Sequence, residues 1–175
     1  MIYTMFMDKI APGILRLSVM DNDLDLFEGQ YPVPQGVSYN TYLIEDDQLC
    51  LLDTVDARKQ EEWLAGLDEV LAGRKLDYLV ISHMEPDHAA TLGTVLSRYP
   101  EATVIGNAKT LPMIKQFFPM EVEGRFQAVK EGDTLCTGRH TFTFLMAPMV
   151  HWPEVMVTYD AADKVLFSAD AFGTF

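Results

Sequence analysis

Residues 81–92 constrain the fold of this chain more than any other part of the sequence. They read ISHMEPDHAATL and follow the apolar run 76–82, which predicts a buried strand. The pattern from about residue 88 to residue 99 predicts a helix. Four potential metal ligands fall between the two elements: His83, Glu85, Asp87 and His88. Because α/β sheets place their sites at the carboxyl ends of strands, this segment predicts a polar site at the end of a strand.

Pro86 sets the backbone geometry that we predict for these ligands. Because proline resists an early helix and restricts the residue before it, we expect an extended turn here. In an extended turn, His83, Glu85 and Asp87 point to one face. The alternative is a polar turn whose carboxylates cap the next helix, and for Asp87 alone we prefer it. Two histidines and two carboxylates together indicate a metal site instead.

Two later residues follow strand-like segments in the same way. His151 comes after the predicted strand 141–146, and Asp170 comes after the predicted strand 164–168. Each residue taken alone would be an ordinary turn residue. Because strand ends can meet at one sheet edge, we expect both to join the first four ligands. His140 lies beside Arg139 without a carboxylate motif, so we interpret it as an ordinary surface or strand residue.

The remaining pattern predicts an α/β (α+β) sandwich with its helices outside. Asp56 is expected to cap a helix that contains residues 63–71 and ends at Gly73. A second helix is expected from Asn107 to Phe118. The long loop 21–36 is rich in glycine and proline, as functional loops often are. Further strands are predicted at 14–19, 37–44, 48–53, 102–105, 125–129 and 155–159.

Composition excludes several classes of function. The chain has 175 residues, of which 49% are apolar and 22% charged, and this suits one globular domain over residues 1–175. Its formal net charge of −13 argues against a nucleic-acid surface, which needs clustered lysine and arginine. No apolar run approaches the roughly 20 residues that cross a bilayer, and the first residues lack a signal-peptide pattern. We expect a cytoplasmic protein with no nucleic-acid or membrane partner.

The two cysteines predict no special chemistry. Cys50 and Cys136 lie in separate strand-like segments and form neither a CxxC pair nor a disulfide framework. We expect both to be buried thiols that pack as small apolar residues.

The ligand pattern resembles the metallo-β-lactamase superfamily, and specifically the diiron domain of the flavodiiron proteins, also called A-type flavoproteins or rubredoxin:oxygen oxidoreductases. The segments GVSYNTYLI, LLDTVD, MVHWPEVM and LFSADAFGTF extend the resemblance over almost the whole chain. The resemblance implies a metallo-β-lactamase-like αββα sandwich, incomplete at the C-terminus, of which residues 1–175 are the N-terminal part. It also implies two iron ions, with ligands divided as follows: His83, Glu85 and His151 on one iron, Asp87 and His88 on the other, and Asp170 bridging both.

The same resemblance implies reduction of O2 to water, of NO to N2O, or both. The electrons would come from FMN on a flavodoxin-like domain, which this sequence does not contain, or from a flavodoxin-like or rubredoxin-like donor. Members of the family work as head-to-tail dimers, so a homo-oligomer is expected. The family also supplies a last histidine to the second iron, and no histidine follows Asp170 here. Many members place a histidine beside the irons in the early loop where this chain has Glu28, which makes Glu28 a candidate catalytic residue.

Two other functions stay open at this point. The first is a zinc metallohydrolase, in which two metal ions activate a bridging water. Hydrolytic relatives usually carry a histidine in place of Glu85, and a carboxylate there favours iron through its hard oxygen donors. The second is a truncated remnant that binds partners without turnover. We do not expect the isolated chain to be competent alone.

Overall fold

The computed structural model describes residues 5–173, which form a layer of helices, a large mixed sheet and a smaller antiparallel sheet. The helices are α1 (Gln60–Leu71), α2 (Pro86–Ala89), α3 (Leu92–Arg98) and α4 (Thr110–Phe117). The strands are β1 (Met5–Ala11), β2 (Ile14–Asp21), β3 (Leu26–Phe27), β4 (Tyr31–Pro32), β5 (Val37–Ile44), β6 (Cys50–Leu52), β7 (Tyr78–Val80), β8 (Thr103–Asn107), β9 (Phe126–Val129), β10 (Thr134–Cys136), β11 (Thr141–Met146), β12 (Met156–Asp160) and β13 (Val165–Phe167).

The large sheet has seven strands in the order β1-β2-β5-β6-β7-β8-β9. Its first half is antiparallel, whereas β6, β7, β8 and β9 run parallel. Parallel neighbours need crossover connections, and helices α1 to α4 lie in these connections. The carboxyl ends of β6, β7 and β8 therefore share one edge of the sheet.

Each face of the large sheet is buried against a different layer. On one face, Leu79 of β7 belongs to a core that contains Trp63 and Leu67 of α1 and Val95 of α3. On the other face, Val80 belongs to a second core that contains residues of the small sheet. Neighbouring side chains of a strand point to opposite faces, so a parallel strand between two layers must be apolar throughout. This is why β6 and β7 appear in the sequence as unbroken apolar runs.

The small sheet has the order β10-β11-β12-β13 and is antiparallel throughout. Phe142 and Phe144 of β11, Met156 of β12 and Phe167 of β13 face the large sheet and are buried. All buried members of this second core lie in strands. The described residues thus supply the helix, sheet and sheet layers of the predicted αββα sandwich.

Several predicted element boundaries differ from the structure. Asp56 caps a short 3-10 turn, Ala57–Lys59, before α1 begins. The predicted stop at Gly73 is confirmed, because α1 ends in left-handed backbone at Ala72 (φ 50°) followed by Gly73 (φ 81°). The helix predicted from Asn107 begins only at Thr110, since Asn107 ends β8 and its side chain accepts a hydrogen bond from the Lys109 N–H.

The two cysteines also differ from each other. Cys50 is fully buried, as predicted, and burial raises the pKa of its thiol above the usual range. Cys136 is exposed in β10, so the prediction of a buried thiol there was wrong. β10 lies at the edge of the small sheet, and Cys136 alternates with the inward-facing Leu135. Among residues 5–173, no helix is long and apolar enough to cross a membrane.

Candidate metal centre

The turn after β7 places the first four predicted ligands, although its geometry differs from the prediction. His83 lies in irregular backbone after β7, and Glu85 is extended (φ −64°, ψ 148°). Pro86 does not delay the helix: it is the first residue of α2, so Asp87 and His88 are helical. Proline suits this position because its fixed φ matches the helix and the first helical N–H needs no partner within the helix. The prediction of an extended turn through Asp87 was therefore wrong.

The first group of potential ligands surrounds one carboxylate oxygen of Glu85. Glu85 Oε2 lies 2.9 Å from His83 Nε2 and 2.8 Å from His151 Nε2. Asp170 Oδ2 lies 3.4 Å from each of the same two nitrogens. These four residues each offer a ligand atom within 4.8 Å of the others. Two imidazole nitrogens and two carboxylates at this spacing can hold one divalent ion.

The second group uses the other oxygen of Asp170. His88 Nε2 lies 2.6 Å from Asp170 Oδ1 and 3.6 Å from Asp87 Oδ2. Asp87, His88 and Asp170 also offer ligand atoms within 4.8 Å of one another. The imidazole rings of His83 and His88 lie 5.3 Å apart, so the two groups are neighbours. Asp170 lies between the groups and presents one oxygen to each.

The ligands come from both sheets, which corrects the expectation of a single sheet edge. His83, Glu85, Asp87 and His88 follow β7 of the large sheet, whereas His151 and Asp170 follow β11 and β13 of the small sheet. A hydrogen bond joins the two sheets at this point, since the Met156 N–H of β12 donates to the Ser82 carbonyl after β7 at 3.1 Å. The site therefore lies where the ends of two stacked sheets meet, beside a cleft of about 1210 Å³.

The hydrogen bonding of the site fits a bound cation. Among the described residues, Asp87 Oδ1 is buried without a hydrogen-bond partner. Buried polar atoms are nearly always paired, and an unpaired one costs stability. Glu85, Asp87 and Asp170 also bring three carboxylates close together, and bound divalent ions would neutralise that charge. The residues present thus fit a two-metal site.

The ionisation of the ligands reflects this crowding. Burial of His83 disfavours its charged form, but hydrogen bonds to Glu154 and Glu85 outweigh burial and raise its pKa to about 9. Burial raises the pKa of Asp87 to about 6, with the negative charges of Asp170 and Glu85 adding to the effect. Although burial opposes it, hydrogen bonds from His83, Glu28 and His151 lower the pKa of Glu85 to about 2. In the metal-free protein, hydrogen bonds from protonated side chains to Glu85 therefore link the groups that metal would otherwise link.

Glu28 reaches the same site from the loop between β3 and β4. Its backbone adopts the left-handed region (φ 50°) next to Gly29 (φ 69°), which turns the chain tightly enough for a small hairpin. The Glu28 carboxyl group hydrogen-bonds Glu85, and this bond raises the pKa of Glu28 to about 7. Glu28 also lines the cleft, together with five of the six candidate ligands.

Three residues of the site were missed by the sequence analysis. Glu154 is buried and its Oε1 lies 2.7 Å from His83 Nδ1. Asp53 Oδ2 lies 3.5 Å from His88 Nδ1, and Trp152 packs its ring perpendicular to that of His83. A usable signal existed for the two acids: Asp53 directly follows the apolar strand β6, and Glu154 comes three residues after His151.

The interpretation of His140 as an ordinary surface or strand residue was wrong. His140 is 1% exposed, and its Nδ1 lies 3.0 Å from Asp160 Oδ2. The backbone N–H of His140 donates to Asp46 at 2.8 Å, and Arg139 forms two 2.6 Å bonds with Asp163. Carboxylates distant in sequence thus surround His140 through the fold. This cluster ties the turn before β6 to the turn before β11, and its groups satisfy one another.

Comparison with known proteins identifies the family. Residues 37–175 match the family model described as "ODP family beta lactamase". The chain belongs to this family. It is 36% identical over 165 residues to the rubredoxin-oxygen oxidoreductase of Megalodesulfovibrio gigas and 34% identical over 165 residues to the nitric oxide reductase of Moorella thermoacetica. Each alignment covers 94% of this chain and 41% of the relative, so the chain spans less than half the length of these proteins.

Solved structures confirm the ODP-family fold. A mutant of the flavo di-iron protein from Thermotoga maritima superposes with a TM-score of 0.89 at 26% identity, over 98% of this chain and 43% of that one. The chain is thus a metallo-β-lactamase-like diiron-type domain of the flavodiiron proteins, as the HxExDH segment indicated.

Proposed function

We propose that this flavodiiron domain holds two iron ions and forms the reducing centre of an O2 reductase, an NO reductase, or both. The observation that carries the proposal is the position of Asp170. Its Oδ2 faces the group of His83, Glu85 and His151, and its Oδ1 faces His88. A carboxylate shared in this way is what a bridged pair of metal ions requires.

The protein side chains have distinct roles in this proposal. His83, Glu85 and His151 would hold one iron, Asp87 and His88 would hold the other, and Asp170 would bridge them. Such an iron pair supplies electrons and open coordination positions for a small gas. Burial of His83 and Glu85 keeps that end of the site dry, while the half-exposed His151 borders the cleft through which a gas enters. The carboxylate at position 85 favours iron over zinc.

Glu28 is the proposed catalytic acid and base. Its carboxyl group lies on the cleft side of Glu85 and has a pKa of about 7, because it shares a hydrogen bond with Glu85. A group with a pKa near the working pH can both donate and accept protons. Reduction of O2 to water and of NO to N2O both consume protons, so Glu28 is well placed to deliver them.

Electrons must reach the irons from outside the described residues. The named relatives are a rubredoxin-oxygen oxidoreductase and a nitric oxide reductase, and both are longer proteins. We infer that FMN on a flavodoxin-like domain or chain, or a rubredoxin-like donor, reduces this site. Electron transfer requires a short distance between the donor and the irons. A homo-oligomer that brings the donor of one subunit to the irons of another would provide it.

Metal analysis joined to gas consumption tests the proposal. The chain would be purified anaerobically with ferrous iron, and its iron and zinc would be counted per chain. Consumption of O2 and of NO would then be measured with reduced FMN as electron donor. We expect two irons per chain and iron-dependent consumption while this added donor is present. In His83→Ala, we expect fewer than two irons per chain and loss of the consumption. Asp163→Asn, an aspartate change in the cluster around His140, is the control that should change neither.

The contrary outcomes separate the other two functions. Zinc at full occupancy with no iron-dependent gas consumption would refute the reductase, and turnover of a thioester or phosphodiester would then favour the hydrolase. Bound iron without consumption of either gas would favour a domain that no longer turns over.

A further inference from the structure

We propose that Glu154 is a positioning residue, which holds His83 so that only its Nε2 can bind metal. The inference rests on the proposed metal site and deepens it. Glu154 Oε1 lies 2.7 Å from His83 Nδ1, on the side of the ring away from the cluster. On the other side, His83 Nε2 lies 2.9 Å from Glu85 and 3.4 Å from Asp170.

The physical reason lies in the two nitrogens of imidazole. A neutral imidazole carries one proton, and the hydrogen bond made by one nitrogen decides which nitrogen is free to bind metal. Glu154 is a hydrogen-bond acceptor when ionised, so it fixes the proton of His83 on Nδ1. In the neutral ring that binds metal, the lone pair of Nε2 is then directed into the space that Glu85 and Asp170 border. A carboxylate behind a ligating histidine also makes that histidine a stronger donor.

The fold holds Glu154 rigidly in this position. The Asn107 side chain donates to the Glu154 carbonyl at 2.5 Å, and the Lys109 ammonium donates to the Pro153 carbonyl at 3.1 Å. Glu154 Oε1 also accepts the Met84 N–H at 2.8 Å, beside His83 in the chain. The end of β8 thus holds the backbone at Pro153 and Glu154, and the Glu154 carboxylate joins the turn before β12 to the turn after β7.

The second oxygen of Glu154 argues against a purely structural role. Among the described residues, Glu154 Oε2 is buried without a hydrogen-bond partner. An unpaired buried oxygen costs stability, and a charged one costs more. A glutamine could accept the same two hydrogen bonds through its amide oxygen without burying a charge. The carboxylate is therefore better explained by what its charge does for His83 than by the stability of the fold.

Two substitutions distinguish the charge from the hydrogen bond. Glu154→Gln keeps an acceptor and loses the charge, whereas Glu154→Leu loses both at similar volume. Asp160→Asn is the matched control, because Asp160 is equally buried and contacts a different histidine, His140, outside the metal site. Zinc affinity would be measured by competition with a chelator. The hydrogen bond of the His83 Nδ1–H would be followed in the zinc-loaded protein by nitrogen-15 NMR, through the exchange of that proton with water.

We expect the affinity of the tighter zinc site to fall about tenfold in Glu154→Gln and toward a hundredfold in Glu154→Leu. The exchange of the His83 Nδ1–H with water should stay slow in wild type, Glu154→Gln and Asp160→Asn, and should become fast in Glu154→Leu, which removes its acceptor. If Glu154→Leu does not fold, wild-type affinity in Glu154→Gln is enough to overturn the proposal. Unchanged affinity and unchanged Nδ1–H exchange in both variants would overturn it as well. A wild-type protein that binds no metal would instead refute the proposed function.

Discussion

The two halves of the candidate site use the same ligand chemistry but differ in how firmly their histidines are held. His83 is hydrogen-bonded on both nitrogens, to Glu154 at 2.7 Å and to Glu85 at 2.9 Å. His88 is bonded on one, to Asp170 at 2.6 Å, and its Nδ1 lies 3.5 Å from Asp53 without a hydrogen bond. The first group offers four ligands and the second offers three among the described residues.

The two positions share Asp170, but this difference indicates that they need not bind metal with equal affinity. A site whose ligands are already oriented loses little conformational freedom when it binds. The first position should therefore bind metal before the second, and more tightly. Asp170 couples the two positions, since each uses one of its oxygens.

Replacement of Asp170 should have the largest effect, because it removes a ligand from both positions. In Asp170→Asn, we expect both metal affinities to fall by more than about a hundredfold. This exceeds the effect expected for a residue such as Glu154, which only hydrogen-bonds a ligand. The measurement is metal bound per chain during titration with zinc or ferrous iron. Asp163→Asn should bind as wild type does. Loss of only one metal in Asp170→Asn would show that Asp170 does not bridge.

Single histidine changes should separate the two positions. His88→Ala should leave one tightly bound metal per chain, since His88 belongs only to the second group. His151→Ala should instead weaken the first position, where His151 Nε2 lies beside Glu85. Titration calorimetry would give the number and affinity of the sites in each variant. If both variants lost the same site, the division of ligands between two positions would be wrong.

Replacement of Asp87 should show that its buried, ionised carboxylate lowers the free energy of unfolding of the metal-free protein. Burial raises its pKa to about 6 from an ordinary value near 3.8, so its ionised form is less favourable in the folded state. The resulting destabilisation is absent below pH 3.8, grows as the pH rises toward 6, and is complete above 6. Metal-free Asp87→Asn should then be more stable than wild type by about 2 kcal/mol at pH 7.5, and nearly equal to it at pH 3.5.

Urea unfolding at both pH values measures this difference, with a chelator present. Added metal should reverse the order, because wild type gains more binding energy than the variant. Asp47→Asn, at an exposed position before β6 and outside the two groups of candidate ligands, is the control and should show no such reversal. If Asp87→Asn were less stable than wild type at pH 7.5 without metal, the ionised Asp87 carboxylate would not destabilise the folded protein, contrary to the prediction.

Much of the site could be predicted from the sequence because its ligands are clustered there. Four of the six candidate ligands lie within residues 83–88, next to an apolar strand that must be buried on both faces. His151 and Asp170 were found by the same rule, that polar residues after apolar strands lie at a sheet edge. The rule does not tell which sheet each strand joins, and so the meeting of two sheets could not be predicted.

The missed residues depend on contacts between distant segments. Glu154 contacts His83 across 71 positions, and Asp46 contacts His140 across 94. Nothing near His140 in sequence distinguishes it from a surface residue, because its carboxylate partners are distant in sequence and contact it only in the folded structure. Glu28 could be placed by family resemblance alone, because its loop contains no strong periodic pattern. The hairpin that carries it depends on left-handed backbone at Glu28 and Gly29.

Glu28 should have the smallest effect on metal binding and a specific effect on pH dependence. Glu28→Gln keeps the size of the side chain and an amide that can contact Glu85, so both metal affinities should stay within about twofold of wild type. If the proposed reductase activity is present, wild-type gas consumption should depend on pH through an ionisation of the Glu28 carboxyl group. In Glu28→Gln that ionisation should disappear and the rate at neutral pH should fall. Asp25→Asn, an exposed change in the same loop, should leave the profile intact. A profile unchanged in Glu28→Gln would refute Glu28 as the proton donor and would assign that role to another group.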